Sequence, residues 1–212
     1  MSTKAYLNYL RTVREPTPLI VRGRTFTVLP GVFLPGSGSL DYFFQHLPLK
    51  DGRTLLEIGT GHGILPLLYA IERDIQGVGT DLLPEAILCA RLNANRHGVT
   101  DRVDFRQGDL FQPLRRDERF DVVFWNTTVF GEKPVDDMDR AVTSENYESL
   151  DRYLREGRSW LRPGGSLCVG FTVDADPTFL KARIAEYRYD IQAVSSLEKT
   201  REHPLIYVLR PR

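Results

Sequence analysis

Residues 54–63 read Thr-Leu-Leu-Glu-Ile-Gly-Thr-Gly-His-Gly, an apolar run that passes directly into three glycines at alternate positions and then into a helical pattern from Ile64 to Arg73. A strand that turns through glycines into a helix brings bare backbone to the edge of an open α/β sheet, because glycine takes positive φ freely and holds no side chain against a ligand. The spacing is Gly59-x-Gly61-x-Gly63. It differs from the Gly-x-Gly-x-x-Gly of dinucleotide enzymes, in which a pyrophosphate rests on the N–H groups of a helix N-terminus. A nicotinamide-dependent oxidoreductase is therefore disfavoured, and a ligand whose body lies against the backbone is favoured.

The remainder of the chain alternates in the same way, which predicts a mostly parallel sheet. Strands are expected at Thr54–Ile58, Ile75–Asp81, Val103–Gln107, Phe120–Asn126, Ser166–Phe171, Asp190–Ser195 and Leu205–Leu209, and helices at Ile64–Arg73, Pro84–His97, Ser144–Leu161 and Pro177–Tyr187. In the second helix Pro84 suits the first turn, Ile87/Ala90/Ala94 and Leu88/Leu92 repeat at helical spacing, and Gly98 provides a stop. The last two strands have no helix between them and should form a hairpin. With 212 residues the length fits one domain, 51–212, preceded by an extension, 1–50, too short for its own core. In that extension Tyr6, Leu7, Leu10 and Val13 form one face of a short helix, and Leu19–Val28 reads as a hairpin turning at Arg22-Gly23; together they are expected to act as a lid.

Charge is balanced, 28 Lys+Arg against 28 Asp+Glu, so there is no global pull towards nucleic acid. No apolar run reaches the roughly 18 to 20 residues of a spanning helix, and the N-terminus lacks a secretory h-region. Cys89 and Cys168 lie in apolar surroundings, as buried free thiols do; a cytoplasmic, reducing location and no membrane partner are expected. The four histidines are scattered with no zinc spacing, and no serine or cysteine sits on a nucleophile elbow.

Two carboxylates fall in register with the loop. Asp81 ends the second strand, 22 residues after Gly59, where it could accept both ribose hydroxyls; Gly108-Asp109-Leu110 follows the third, where a carboxylate and the next N–H suit an adenine edge. Here the chain resembles the class I S-adenosylmethionine-dependent methyltransferases, whose motifs are an acidic-x-Gly-x-Gly-x-Gly loop and acidic residues after strands two and three. The resemblance covers about residues 30–210. It implies a Rossmann-like seven-stranded α/β sheet of order 3-2-1-4-5-7-6 with strand 7 antiparallel, S-adenosylmethionine as cofactor, and contacts to it from Glu57, Gly59, Gly61, Gly63, Asp81, Leu82, Asp109 and Leu110. Glu57 near the end of a buried strand needs a partner, either the ligand ammonium, a water or the loop N–H groups. His62 is expected to be structural or solvent-facing rather than catalytic.

The fourth strand ends in Trp125-Asn126-Thr127-Thr128-Val129-Phe130, which resembles the Asn-Pro-Pro-Tyr segment of the branch that methylates planar nitrogens. In that branch the Asn side chain accepts a hydrogen from the acceptor nitrogen and aims its lone pair at the methyl, which is catalysis by positioning. Asn126 is thus the expected catalytic residue, with a cofactor contact as well. Val28-Leu29-Pro30-Gly31-Val32-Phe33, followed by Leu40-Asp41, is similar to the pre-domain segment of the same group, making Phe33, with Leu34, a wall over the cofactor. This sequence departs from the motif at both prolines, holds Val129 in the aromatic slot and puts Trp125 where a small residue is usual, as a stacking wall or as a core residue.

Substrate contacts are expected from Trp125, Thr127, Phe130 and Tyr147, and Tyr147, Glu145 and Tyr6 could reach the acceptor from a lid. Residues 132–151 carry net −5 against +4 in residues 1–26, and an acidic mouth would repel phosphates and favour an amine-bearing small molecule. A methyltransferase for a small-molecule acceptor, with nitrogen as the expected atom and specialised biosynthesis as the expected setting, is the leading reading. Alternatives are an N-methyltransferase of protein glutamine or RNA guanine, and an enzyme that uses the aminobutyryl carbon and releases methylthioadenosine. A non-enzymatic S-adenosylmethionine-binding regulator would have no need of Asn126. Oligomeric state is not legible.

Overall fold

The computed structural model describes residues 3–34, 37–127, 130–136, 139–141, 143–172, 177–196 and 204–212. Its centre is a seven-stranded sheet built from β3 (Thr54–Ile58), β4 (Gln76–Asp81), β5 (Val103–Gln107), β6 (Phe120–Asn126), β7 (Leu161–Thr172), β8 (Tyr189–Ser196) and β9 (Pro204–Pro211). The spatial order is β5-β4-β3-β6-β7-β9-β8. Only β9 runs antiparallel to its neighbours. Counted within the sheet, this is the expected 3-2-1-4-5-7-6, and β8 and β9 form the expected terminal hairpin.

Alternation along the central strands sends side chains to two cores. Leu55, Val122, Phe124 and Cys168 face a cluster shared with α3 (Ile64–Glu72) and α4 (Pro84–His97), whereas Leu56, Val123, Trp125, Leu167 and Val169 face one shared with α5 (Glu148–Gly157) and α6 (Pro177–Glu186). Pro84 opens α4 and Gly98 closes it in the left-handed conformation, at φ 66°. Of the two apolar rows on α4 only Ile87/Ala90/Ala94 is buried; Leu88 and Leu92 are 55% and 48% exposed, because their row is turned about 100° away from the sheet.

The largest departures from the expected bounds are in α5 and β7. α5 is shorter than the 144–161 expected, since Asn146 and Tyr147 adopt positive φ (51° and 57°) and stop the helix from starting earlier. β7 begins at Leu161 rather than Ser166, because Leu161 pairs with Phe120 across a register shift. A helix absent from the sequence reading, α2 (Ser37–His46), has apolar residues on several sides and therefore no clean periodic stripe. It buries Leu40, Tyr42, Phe43 and Phe44, with the Phe43 ring 5.1 Å from Phe124 and the Phe44 ring 4.6 Å from Tyr69.

Before α2 come α1 (Thr3–Leu10), β1 (Thr17–Val21) and β2 (Arg24–Val28). The strands form the expected hairpin, turning through Arg22 and Gly23, both at positive φ, as a two-residue turn matched to strand twist requires. Phe26 is fully buried in the main core, so the core does not break at residue 50. Asn93, on the buried face of α4, ties the hairpin down: Thr27 N–H donates to its Oδ1 (2.9 Å), and its amide donates to Thr27 O (2.8 Å) and His62 O (3.0 Å). Among the described residues no helix is long and apolar enough to cross a membrane. Cys89 and Cys168 are buried free thiols.

Candidate active site

The C-terminal ends of β3, β4, β5 and β6 lie side by side, and each delivers one part of the site. After β3, Gly59, Gly61 and Gly63 all have positive φ (61°, 55° and 73°). A Cβ at Gly59 would lie 2.9 Å from the Trp125 indole nitrogen, and one at Gly63 would lie 2.7 Å from both Ala90 Cβ and Phe105 Cζ. Gly61 instead faces open space, its nearest neighbour being Val32, 3.9 Å from where a Cβ would sit. The loop is thus packed beneath and bare on one side.

Glu57 is buried, and its Oε2 accepts from the Thr60 hydroxyl at 2.6 Å, a partner that was not among those expected. Burial, opposed by the Thr60 bond and reinforced by the nearby Asp81 charge, pushes its pKa up to about 8. His62 is buried and accepts the Ile64 N–H at Nδ1 (3.1 Å). Desolvation lowers its pKa to about 4, so the neutral ring carries its proton on Nε2 and serves as a loop brace rather than as a solvent-facing residue.

Asp81 ends β4 with its carboxylate directed back over the loop. Oδ2 accepts Gly61 N–H (2.8 Å) and Oδ1 accepts Leu83 N–H (3.0 Å); burial raises its pKa and these backbone bonds lower it. Leu82 is 42% exposed beside it. At the end of β5, Gly108 N–H donates to Asp81 O (2.8 Å), and Leu110, at φ 48°, accepts the Thr80 hydroxyl at its carbonyl (2.9 Å). Asp109 lies between them with Oδ2 paired to Arg152 Nη1 at 2.6 Å. Arg152 was not anticipated as part of the site, since nothing in its local pattern on α5 distinguishes it from a solvated helix face.

On the acceptor side Asn126 is exposed at the end of β6. Gly170 faces it across β7, and a Cβ there would sit 2.9 Å from Asn126 Oδ1. Trp125 is buried, edge-on to Tyr153 with centroids 5.3 Å apart, and so acts as a core residue beneath the loop rather than an open stacking wall. Thr127 is also buried, with its N–H and its hydroxyl both donating to Gly170 O at 3.0 Å; that commits the side chain to backbone rather than to a substrate. Phe130 bridges to Thr143, and Tyr147 lies against Gly131 and stacks on Phe179 at 4.7 Å. Glu145 is exposed. Phe33 and Leu34 are partly buried, and the residue of that segment that meets the loop is Val32. Thr128, Val129 and Asp137, and the side chain of Tyr6, lie outside the described residues.

The acidic stretch is bridged from outside at one point: Arg11 Nε and Nη2 each contact Asp136 at 2.9 Å, and Nη2 reaches Asp139 at 3.2 Å, so one cation beyond α1 offsets part of its negative charge.

Residues 49–202 match the family model described as a methyltransferase domain. The chain belongs to the methyltransferase domain family. It is a class I S-adenosylmethionine-dependent methyltransferase with a Rossmann-like sheet. Among curated proteins, the release factor glutamine methyltransferase of Geobacter sulfurreducens is 30% identical over 80% of this chain and 65% of its own length. The 27-O-demethylrifamycin SV methyltransferase of Amycolatopsis mediterranei is 30% identical over 74% of this chain and 54% of its own length. This methyltransferase chain therefore spans somewhat less than two thirds of the first and about half of the second. Among solved structures, a methyltransferase from Pyrococcus furiosus superposes with a TM-score of 0.70 at 21% identity, covering 97% of this chain and 96% of that one. The donor set of this methyltransferase fits its cofactor: Gly61 leaves an open backbone face for the ligand, and carboxylates stand at the ends of β4 and β5 beside it.

Proposed function

We propose that this methyltransferase modifies a nitrogen of a small-molecule acceptor, with Asn126 orienting that nitrogen. The observation that carries the reading is the Arg11 pairing to Asp136 and Asp139. It ties the end of α1 to the segment following Asn126, and in this reading a small acceptor fits beneath that bridge, near Phe130 and Tyr147. The naming of one relative for a rifamycin precursor supports the same class of acceptor. In this reading residues 1–50 act as the lid over the domain of residues 51–212, and two unpaired buried cysteines suit a reducing, cytoplasmic setting.

Bound S-adenosylmethionine supplies an electrophilic sulfonium methyl. Gly59, Gly61 and Gly63 seat its aminobutyrate side, with Glu57 beneath and Val32 and Phe33 above. Asp81 accepts from the ribose, Leu82 flanks the purine, and Asp109 with the Leu110 N–H reads its edge. Asn126 is an exposed residue, and in this reading its amide oxygen, beside Gly170, accepts a hydrogen of the acceptor and fixes the direction of attack, a contribution made by orientation and fixed dipoles. A second reading, transfer to a glutamine amide of a protein, is favoured by the retained Asn126 and by the release factor relatives.

The test is incubation with methyl-labelled S-adenosylmethionine and an extract of the source cells, followed by separation of small molecules, protein and RNA. Label in small molecules supports the proposal, and label in protein or RNA replaces it with the second reading or its RNA counterpart. Formation of methylthioadenosine instead would mean that the aminobutyryl carbon reacts.

A further inference from the structure

We infer that Arg152 is a specificity-determining residue of the cofactor site, holding Asp109 so that the site accepts a 6-amino purine and rejects a 6-oxo purine. The inference rests on the reading of Asp109 as the adenine contact. Arg152 arrives from α5, whose Tyr153 stacks on Phe111 just past the end of β5, and its Nη1 lies 2.6 Å from Asp109 Oδ2. The same side chain is flanked by Glu156, 3.8 Å from Nε, so its guanidinium is kept between carboxylates. Asp109 is the nearer of the two.

Three contacts fix the surrounding backbone. Gly108 N–H is tied to Asp81 O, Gln112 N–H to Asp109 O, and the Leu110 carbonyl to the Thr80 hydroxyl. Asp109 thus sits on a rigid turn with one oxygen taken by a guanidinium and, among the described residues, the other free to accept. A carboxylate held by a guanidinium through one oxygen presents the other as an acceptor in a fixed direction. Next to it the Leu110 N–H is a donor. Adenine offers the complement, a 6-amino donor and an N1 acceptor, and hypoxanthine offers the reverse, a 6-oxo acceptor and an N1–H donor. A site with both groups fixed leaves both unmatched when the oxo purine binds, and sites built to pair polar groups reject analogues that cannot pair them. Without Arg152 the Asp109 side chain, 42% exposed, is free to rotate away.

The experiment measures, by titration calorimetry, dissociation constants for S-adenosylhomocysteine and S-inosylhomocysteine. Wild-type protein should prefer the adenosyl compound by about a hundredfold. Arg152→Ala should cut that preference about tenfold, Arg152→Lys should fall between, and Asp109→Ala combined with Arg152→Ala should match Asp109→Ala alone. Arg152 is partly exposed, and Arg152→Lys retains the charge should the alanine variant fold poorly. A merely structural role would weaken both ligands alike and leave their ratio unchanged, which overturns the inference. If Asp109→Ala leaves the ratio untouched, the reading of Asp109 itself fails; if Asp109→Ala collapses the ratio while both Arg152 variants keep it, only the inference about Arg152 fails.

Discussion

A methyl group added at Gly63 would meet Ala90 and Phe105 at 2.7 Å in a left-handed backbone, whereas one added at Gly61 would meet only Val32 at 3.9 Å. Gly63→Ala should therefore cost roughly 2–4 kcal/mol, from strain plus overpacking, and Gly61→Ala about 1 kcal/mol from strain alone. Urea unfolding of the two variants checks the ranking, and equal losses would contradict the packing described. Glu57 and His62 oppose each other with pH. The folded state keeps the Glu57 proton up to about 8 and the unfolded chain loses it near 4.5, so this contribution is complete below 4.5 and disappears as pH rises through 8. His62 titrates near 4 when folded and 6.5 when unfolded, so its contribution is present above 6.5 and disappears as pH falls through 4. The two offset each other between about 4.5 and 6.5, leaving a net decline from 6.5 to 8. Glu57→Gln should abolish that decline in urea midpoints measured at pH 6, 7 and 8; a variant that declines as the wild type does would assign the slope elsewhere.

Elements were legible where one interaction dominates. β3, β5, β6 and α4 have the ends read from the sequence because glycine, proline and apolar runs mark them locally. α2 was not legible, since the burial of Tyr42, Phe43 and Phe44 depends on α3, β6 and the hairpin, all distant in the chain. The same holds in the site. Glycines and strand-end carboxylates announce themselves, but Thr60 as the partner of Glu57, Asn93 as the strut under the loop and Arg152 as the partner of Asp109 exist only through tertiary contact. Thr127 and Trp125 read as substrate residues because strand position gives no sign of whether a side chain turns to the neighbouring backbone or to the mouth. At this scale Tyr153 is the tie between α5 and the sheet, its hydroxyl shared between Val123 O (3.1 Å) and Cys168 O (2.9 Å) of adjacent strands. Tyr153→Phe removes that buried bond and should cost about 1–2 kcal/mol of unfolding free energy, with the helical circular dichroism of the folded protein unchanged.

Across the whole molecule, the first fifty residues and the cofactor domain form one cooperative unit. Phe26, Phe43 and Phe44 are each buried in the main core, and burial of a side chain of this kind contributes roughly 1.5–3 kcal/mol. Three of them with Leu40 and Tyr42 approach the 5–15 kcal/mol that holds a domain folded. A chain beginning at residue 51 should show no cooperative thermal transition, and a sharp transition near that of the full protein would disprove the shared core. Ligand linkage acts on the same unit: S-adenosylhomocysteine at a hundred times its dissociation constant should stabilise the wild type by about 2.7 kcal/mol, and Asp81→Ala should show no stabilisation at that concentration. The contact between Gly59 and the Trp125 indole has an optical corollary. The chain has two tryptophans, and Trp160 stacks on Phe111 rather than under the glycine turn. A Trp160→Phe protein would emit from one indole seated directly under the glycine turn, so arrival of the nucleoside could be followed in real time by intrinsic fluorescence, without label or coupled assay, before any methyl acceptor is known.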